Sequence, residues 1–202
     1  MKLKPLIPKS EARKIVVKRR SELSAIEIRN KTKTIVDLLK TTDDFIHSTN
    51  IFCYVASMPG EVDTKILIDQ KNSWGKNVFL PKLNRNTKSF RRFHFTGWDE
   101  LIKNSDGYWE PKYGTDDDMS DIDLIIVPAL AVSKSGQRVG YGGGYYDKLL
   151  QETFAPKYVL VFEFQLFEYI ETSTHDIRMD KIITERRIIN PRKSIFSITD
   201  VD

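Results

Sequence analysis

Ten consecutive residues hold the densest chemistry in this 202-residue chain: Arg138, Val139, Gly140, Tyr141, Gly142, Gly143, Gly144, Tyr145, Tyr146 and Asp147. With Gly136 included, the stretch 127–150 carries five of the ten glycines. A loop this rich in glycine loses much chain entropy on ordering. A phosphate is one physical compensation. Without Cβ atoms, successive backbone N–H groups can turn toward one anion, and a following helix start adds its positive dipole end. Arg138 contributes a fork of donors suited to phosphate oxygens. Tyr145 and Tyr146 offer flat faces and hydroxyls, and Asp147 offers a carboxylate that can hold Mg²⁺ beside phosphates. The bland alternative is a tight turn over a packed aromatic pair. The run is not a P-loop, since Gly-Lys-Ser/Thr is missing, nor a dinucleotide fingerprint.

Two further groups have useful spacing. Lys9 and Arg13 are four apart, and Arg20 falls nearly on the same line of a helix. They read either as a solvated basic face or as cations lent to a triphosphate. Glu61 follows an apolar run and a Pro-Gly turn. It reads either as favourable charge at a helix N-terminus or as a ligand carboxylate at the carboxyl end of a strand. Lys82 is a candidate for phosphate or for an anionic tail, with an ordinary exposed lysine as the alternative. His94 reads as a surface or packed histidine. Residues 90–95 alternate aromatic and polar types, which a half-buried strand explains without an RNA-binding role.

The elements that must carry these residues follow from periodicity. A helix is expected from Lys9 toward Leu23, and a second from Ala25 to Lys40 behind a Ser24 cap. Residues 41–44 read as a polar break. Apolar runs at 51–55, 77–82, 122–127 and 158–162 read as strands, the third ended by Pro128. Residues 108–111 read as irregular, 116–118 as a solvated acidic loop, and 145–150 as a helix. Strands alternating with helices argue for an α/β sheet layered with helices. Hydrophobic residues make up 40% and charged residues 30%, which excludes a disordered or fibrous chain, and the net charge of +4 suits an anionic ligand but also weak nucleic-acid contact. Cys53 alone cannot form an internal disulfide, and no zinc-ligand spacing occurs. No apolar run reaches membrane-spanning length, and the opening MKLKPLIPKS lacks a signal core, so a cytoplasmic protein is expected.

The run R-V-G-Y-G-G-G-Y-Y-D resembles the R-L-G-x-G-x-G-Y-Y-D signature of the 5-formyltetrahydrofolate cyclo-ligase family. Other segments agree. Lys9-Ser10-Glu11-Ala12-Arg13 matches a K-x-x-x-R pattern whose lysine and arginine touch ATP. Arg20-Ser21-Glu22-Leu23-Ser24 matches R-x-x-L-S, and Glu61-Val62-Asp63-Thr64 matches E-x-x-T, in which the glutamate binds folate. Tyr108-Trp109-Glu110-Pro111 is similar to a segment whose aromatic contacts the substrate. The stretch from His175 and Asp176 through Asp180 to Thr184 and Glu185 is similar to H-D-x-x-x-D-x-x-x-T-E. One segment departs: Pro128-Ala129-Leu130-Ala131-Val132-Ser133 lacks the aspartate and phenylalanine of the family's P-G-L-A-F-D.

The resemblance implies an α/β fold, a three-layer sandwich with a mostly parallel central sheet flanked by helices and an N-terminal helical segment. It implies one domain over 1–202, with the helices of 1–45 contributing to the ATP site. The implied reaction is ATP- and Mg²⁺-dependent conversion of 5-formyltetrahydrofolate, in some cases polyglutamylated, to 5,10-methenyltetrahydrofolate with release of ADP and phosphate. The formyl oxygen attacks the γ-phosphorus and N10 then closes the ring, so the substrate supplies both nucleophiles. Arg138 and Tyr145 would be the catalytic groups. ATP would contact residues 9–13 and 138–146. The folate would lie against Ala56, Glu61, Trp109, Tyr141, Gly142, Gly143, Gly144 and Tyr145, and Asp147 with Asp180 would hold Mg²⁺. Neither nucleic acid nor membrane is an expected partner, and the protein would be a monomer or weak homodimer. The alternatives are a sugar-phosphate or CoA-handling enzyme and a nucleic-acid-binding module.

Overall fold

The computed structural model describes residues 6–113, 118–171, 173 and 176–191. The chain begins with helices α1 (Lys9–Ser21), α2 (Ala25–Leu39) and α3 (Asp43–His47), then strand β1 (Asn50–Cys53) and helix α4 (Lys65–Asp69). Strands β2 (Asn77–Asn84), β3 (Ser89–His94), β4 (Leu101–Lys103), β5 (Trp109–Pro111), β6 (Leu124–Val127), β7 (Ala131–Ser133) and β8 (Arg138–Val139) come next. Helix α5 (Tyr145–Gln151) and strands β9 (Lys157–Leu160), β10 (Leu166–Phe167), β11 (Lys181–Ile183) and β12 (Ile188–Ile189) complete it.

Seven strands form the main sheet in the order β12-β11-β9-β6-β1-β2-β3, with β11, β9, β6, β1 and β2 parallel and the two edges antiparallel. Period-2 alternation sets the layers. Ile51, Cys53, Leu124, Ile126, Tyr158 and Leu160 pack with Ile35 and Leu39 of α2 and with Leu67 and Ile68 of α4. Their neighbours Phe52, Ile125, Val127, Val159 and Ile182 pack on the other face with Leu149 and Leu150 of α5. Both faces are covered, which is why these strands read as continuous apolar runs. The expected mostly parallel three-layer architecture is present. Cys53 is a buried core residue, and burial pushes its thiol pKa far up.

Helix α2 begins where its cap indicates: the Ser24 side chain accepts from the Glu27 N–H, and the Glu27 carboxylate accepts from the Ser24 N–H. Three local expectations need correction. Residues 43–47 form a short helix rather than a break, held by buried Phe45, which meets the Trp74 ring edge-on at 5.4 Å. Five residues are too few to show a periodic stripe. Residues 109–111 are a strand paired with β4, not irregular chain. Strand β2 continues through Pro81 to Asn84, because β1 reaches only as far as Phe79 and Pro81 then has one neighbour, β3, in this sheet.

Helix α1 does not lie on the main sheet. Its Ala12 and Val16 pack against Leu130, Ala131, Val139 and Ile170 around a small sheet of order β10-β7-β8. The connection leaving β1 runs to β2, and the connection leaving β6 runs to β9 on the opposite side. Adjacent parallel strands whose exits diverge leave a crevice at their carboxyl ends.

Strand β6 is the middle of the sheet, and Ile126 is fully buried. Ile126→Ala should lower the unfolding free energy by about 2–5 kcal/mol. Phe154→Ala, at a fully exposed side chain, should change it by no more than about 0.5 kcal/mol. Denaturant titration of the two variants checks this.

Candidate functional site

A cleft of about 540 Å³ opens at that divergence. The exit of β1 supplies Tyr54, Val55 and Glu61, and the exit of β6 supplies Pro128 and residues 138–147. Lys9 and Arg13 of α1 and Asp176 close one side, and Tyr108, Trp109 and Glu110 of the β4–β5 hairpin close another.

The glycine loop runs along the cleft wall. Gly142 and Gly144 have φ of +102° and +74°, in the left-handed region that side-chain-bearing residues avoid. A Cβ on Gly143 would meet the Tyr145 ring at 2.8 Å. Arg138 sits beneath this loop, only 7% exposed. Its Nη2 donates to Asp147 Oδ1 at 2.6 Å and its Nη1 to the Pro128 carbonyl at 3.2 Å. Its Nε is buried without a hydrogen-bond partner among the described residues. The guanidinium also stands 5.8 Å from the Tyr146 ring centroid. Burial pushes the Tyr146 hydroxyl far above its ordinary pKa, so it is a neutral donor at neutral pH.

Glu61 is the second focus. Its Oε2 accepts from the backbone N–H groups of Ser57 and Met58 at 2.9 and 3.0 Å, and its Oε1 accepts from the Tyr141 hydroxyl at 2.7 Å. That hydroxyl in turn accepts from Arg20 Nη1 at 2.8 Å. Burial, and after it the Glu61 charge, raises the pKa of Tyr54, Tyr108 and Tyr141, so all three phenols stay protonated around the carboxylate. The Trp109 N–H donates to Ser57 Oγ at 2.9 Å, which ties the hairpin to the Glu61 loop. Lys65 and Lys103 bring ammonium groups to 5.9 and 5.5 Å from the Trp109 ring centroid.

From α1, Lys9 Nζ bonds both oxygens of Asp176 at 2.7 and 2.6 Å, and Arg13 Nε donates to the Gly140 carbonyl at 3.0 Å. Burial alone would raise the Asp176 carboxyl, but Lys9 and the Ser173 amide and hydroxyl outweigh it and hold it below the ordinary aspartate value.

The structure thus brings Lys9, Arg13, Glu61, Trp109, Arg138, Val139, Gly140, Tyr141, Gly142, Gly143, Gly144, Tyr145, Tyr146 and Asp147 to one cleft. It does not bring the rest. Ser10 and Glu11 are exposed and turn away, because only positions three or four apart share a helix face, and Ala12 is buried against the small sheet. Ala56 packs into the core beside its N–H bond to Thr64 Oγ1. Asp180 stands at the amino end of β11, accepting from the Lys157 N–H at the amino end of β9, so it is not paired with Asp147. Lys82 bonds Glu110 at 2.8 Å, and His94 is exposed on β3. His175, Asp116 and Asp117 lie outside the described residues. Tyr54, Tyr108 and Asp176 carry no chemical signal of their own in the sequence, and Arg20, read there as a surface or triphosphate cation, is instead buried against Glu61 and Tyr141. Arg20's place on the Lys9–Arg13 line was the available signal.

Among the described residues, no three His, Cys, Asp or Glu side chains cluster as a metal site. Magnesium bound with a nucleotide needs only one or two protein carboxylates, since phosphates and water complete its shell. Asp147, 40% exposed at its side chain and facing the cleft, meets that demand alone.

Comparison with known proteins adds independent findings. A model of the 5-formyltetrahydrofolate cyclo-ligase family matches residues 7–185. A Haemophilus influenzae 5-formyltetrahydrofolate cyclo-ligase is 29% identical over 181 residues, covering 87% of this chain and 94% of that protein. The Escherichia coli K12 enzyme of the same name is 32% identical over 148 residues, 70% of this chain and 80% of that protein. The NMR structure of Aquifex aeolicus 5,10-methenyltetrahydrofolate synthetase superposes with a TM-score of 0.80 at 31% identity, covering 91% of this chain and 93% of that one.

The Lys9–Asp176 pair gives a pH signature. Its carboxyl is depressed in the fold, so the tie is complete above the ordinary aspartate pKa and is lost as pH falls through the lower folded value. Hydrogen exchange in α1, taken relative to the intrinsic amide rate at each pH, should accelerate as pH falls below about 4. In Asp176→Asn it should already be fast at pH 7 and lose that acid step. An unchanged profile in the variant would mean that the pair does not anchor the helix.

Proposed function

This chain belongs to the 5-formyltetrahydrofolate cyclo-ligase family, and on that footing we propose that its cleft holds 5-formyltetrahydrofolate against Glu61 and Trp109 and ATP against the glycine loop. The reaction is conversion of 5-formyltetrahydrofolate to 5,10-methenyltetrahydrofolate with release of ADP and phosphate. The observation that carries the residue assignment is a single cleft joining a buried, phenol-ringed carboxylate beside a tryptophan to a glycine loop ringed by Arg13, Lys9 and Arg138. A sugar-phosphate or CoA-handling enzyme would use such a loop but leave Glu61 and Trp109 without a task.

The formyl oxygen attacks the γ-phosphorus, and N10 closes the ring on the phosphorylated imidate. Both nucleophiles belong to the substrate, so the protein's work is positioning and charge. Arg138 and the amides of the glycine loop bind phosphate oxygens, Lys9 and Arg13 add positive charge from α1, and Tyr145 and Arg138 face the transferring group. Asp147 would hold Mg²⁺, which neutralises phosphate charge. Arg138 and Asp147 now bond each other, so a nucleotide binds by exchanging that pair for a phosphate on one partner and a cation on the other.

Glu61 orients the pterin. A carboxylate has about four acceptor sites, and Glu61 already fills one of them from each of Ser57, Met58 and Tyr141. Two pterin N–H donors therefore need one bond to give way, and the Tyr141 hydroxyl, on the glycine loop, is the one that moves without breaking the Glu61 turn. The proposal extends to polyglutamylated folate as substrate, to a cytoplasmic monomer or weak homodimer, and to the absence of nucleic-acid or membrane partners. Among the described residues, no helix is long and apolar enough to cross a membrane.

The direct test follows methenyl-folate absorbance with and without ATP and Mg²⁺; product formation independent of ATP would sink the assignment. Calorimetry then separates the two halves. Glu61→Gln should weaken 5-formyltetrahydrofolate by about 1–3 kcal/mol, roughly ten- to a hundredfold, and spare an ATP analogue. Arg138→Ala should do the reverse, with Arg138→Lys recovering only part of the loss. Asp147→Asn should shift the magnesium titration to higher concentration.

A further inference from the structure

Arg20 is a cation only 6% exposed, in a chain whose other α1 cations face the cleft or the solvent. Its guanidinium spans two loops. Nη2 donates to the Ala129 carbonyl at 2.7 Å, just beyond β6, and Nη1 donates to the Tyr141 hydroxyl at 2.8 Å, within the glycine loop. Its Nε has no partner among the described residues. A third loop leans on the same residue. Gly60 has φ +68°, and a Cβ there would meet Arg20 Cβ at 2.6 Å and the Arg20 carbonyl oxygen at 2.9 Å. The turn carrying Glu61 is thus seated directly on α1 at this point.

A buried guanidinium needs an anion. Arg20 Nη1 lies 3.9 Å from Glu61 Oε1, with the Tyr141 hydroxyl bonded to both, and both side chains are 6% exposed. Among the described residues, Arg20 is the one cation within 4 Å of Glu61. The other titratable groups around Glu61 are the phenols of Tyr54, Tyr108, Tyr141 and Tyr146, which contribute no charge at neutral pH. Glu61 therefore owes its counter-charge to one residue on another element.

We infer that Arg20 is a positioning residue for folate recognition: it supplies the buried counter-charge beside Glu61, and it holds the Tyr141 hydroxyl in place both before and after the pterin takes that hydroxyl's site on Glu61. This rests on the assignment of Glu61 to the pterin. Arg20 keeps donating to the oxygen of the displaced hydroxyl, and the hydroxyl proton turns to an acceptor in the cleft, where Tyr141 is 42% exposed. Through Tyr141, folate entry then acts on the loop that grips phosphate.

Binding of 5-formyltetrahydrofolate and of an ATP analogue is measured separately on the parent, Arg20→Met, Arg20→Gln and Arg20→Lys at about pH 7.5. Arg20→Met should weaken folate roughly ten- to a hundredfold. The nucleotide should change less than about twofold, and Arg20→Lys should recover part of the folate loss because it keeps the charge. If Arg20→Met does not fold, Arg20→Gln gives the same readout, since it retains a donor and removes the charge. Parent-like folate affinity in the charge-removing variants would overturn the inference. So would equal weakening of both ligands with no recovery in Arg20→Lys, which is what mere structural damage produces. A parent that turns over folate while these variants behave like it refutes Arg20 alone; a parent that does not bind folate refutes the site assignment and this inference with it.

Discussion

Two neighbouring parallel strands, β1 and β6, send their chains in opposite directions, and the site depends on the gap that this leaves. Ladder hydrogen bonds hold the strands themselves, so only the loops beyond them are free to diverge. The β1 exit delivers Glu61 and the β6 exit leads to Arg138 and the glycine loop. Neither loop encloses a cavity alone. Helix α1, displaced from the main sheet onto β7 and β8, bridges the gap because its apolar stripe is only Ala12 and Val16 and suits a small partner.

Charge inside this gap is balanced locally. Arg138 faces Asp147, Lys9 faces Asp176, and Arg20 faces Glu61 through Tyr141. On the proposed assignment, a phosphate or pterin would meet neither bare cations nor a bare carboxylate and would trade places with groups already bonded. The net gain on binding is then the difference between two sets of charge-assisted bonds, which favours selectivity over raw affinity. The Arg138 Nε and Arg20 Nε, both buried without a partner among the described residues, mark where that balance stays incomplete.

Much of this was legible in the sequence, and the reasons are specific. The glycine run is legible as a loop that needs positive φ, and Gly142 and Gly144, two positions apart, both have it. The parallel strands announce themselves as apolar runs because both faces are covered. The start of α2 was visible in Ser24, whose cap the structure completes with Glu27. What stayed hidden depends on distance in space. Helix α3 and the β4–β5 hairpin are too short for periodicity and owe their form to partners such as Trp74 and Ser57. Residue-type matching assigned Asp180 to magnesium, yet sheet direction puts it at the wrong end of β11. Lys9 was legible as a cation, but its carboxylate partner, 167 residues away, was not.

The same separations set the order in which the molecule can be completed. Helix α1 leaves the ribosome before the other elements described, yet its ties reach Ala129, Gly140, Tyr141 and Asp176, which lie 109, 127, 121 and 167 residues along the chain from their respective partners. At ordinary rates of synthesis that is an interval on the order of ten seconds. A 13-residue helix has little stability by itself. It therefore waits, its Ala12–Val16 stripe uncovered, until β7 and β8 arrive to receive it. Strands β1, β2, β3 and β6 precede β7 and β8 in the chain, whereas β9, β11 and β12 follow them, so α1 is covered while the main sheet is still gaining its last strands, and Asp176 reaches Lys9 only after β9 has been made.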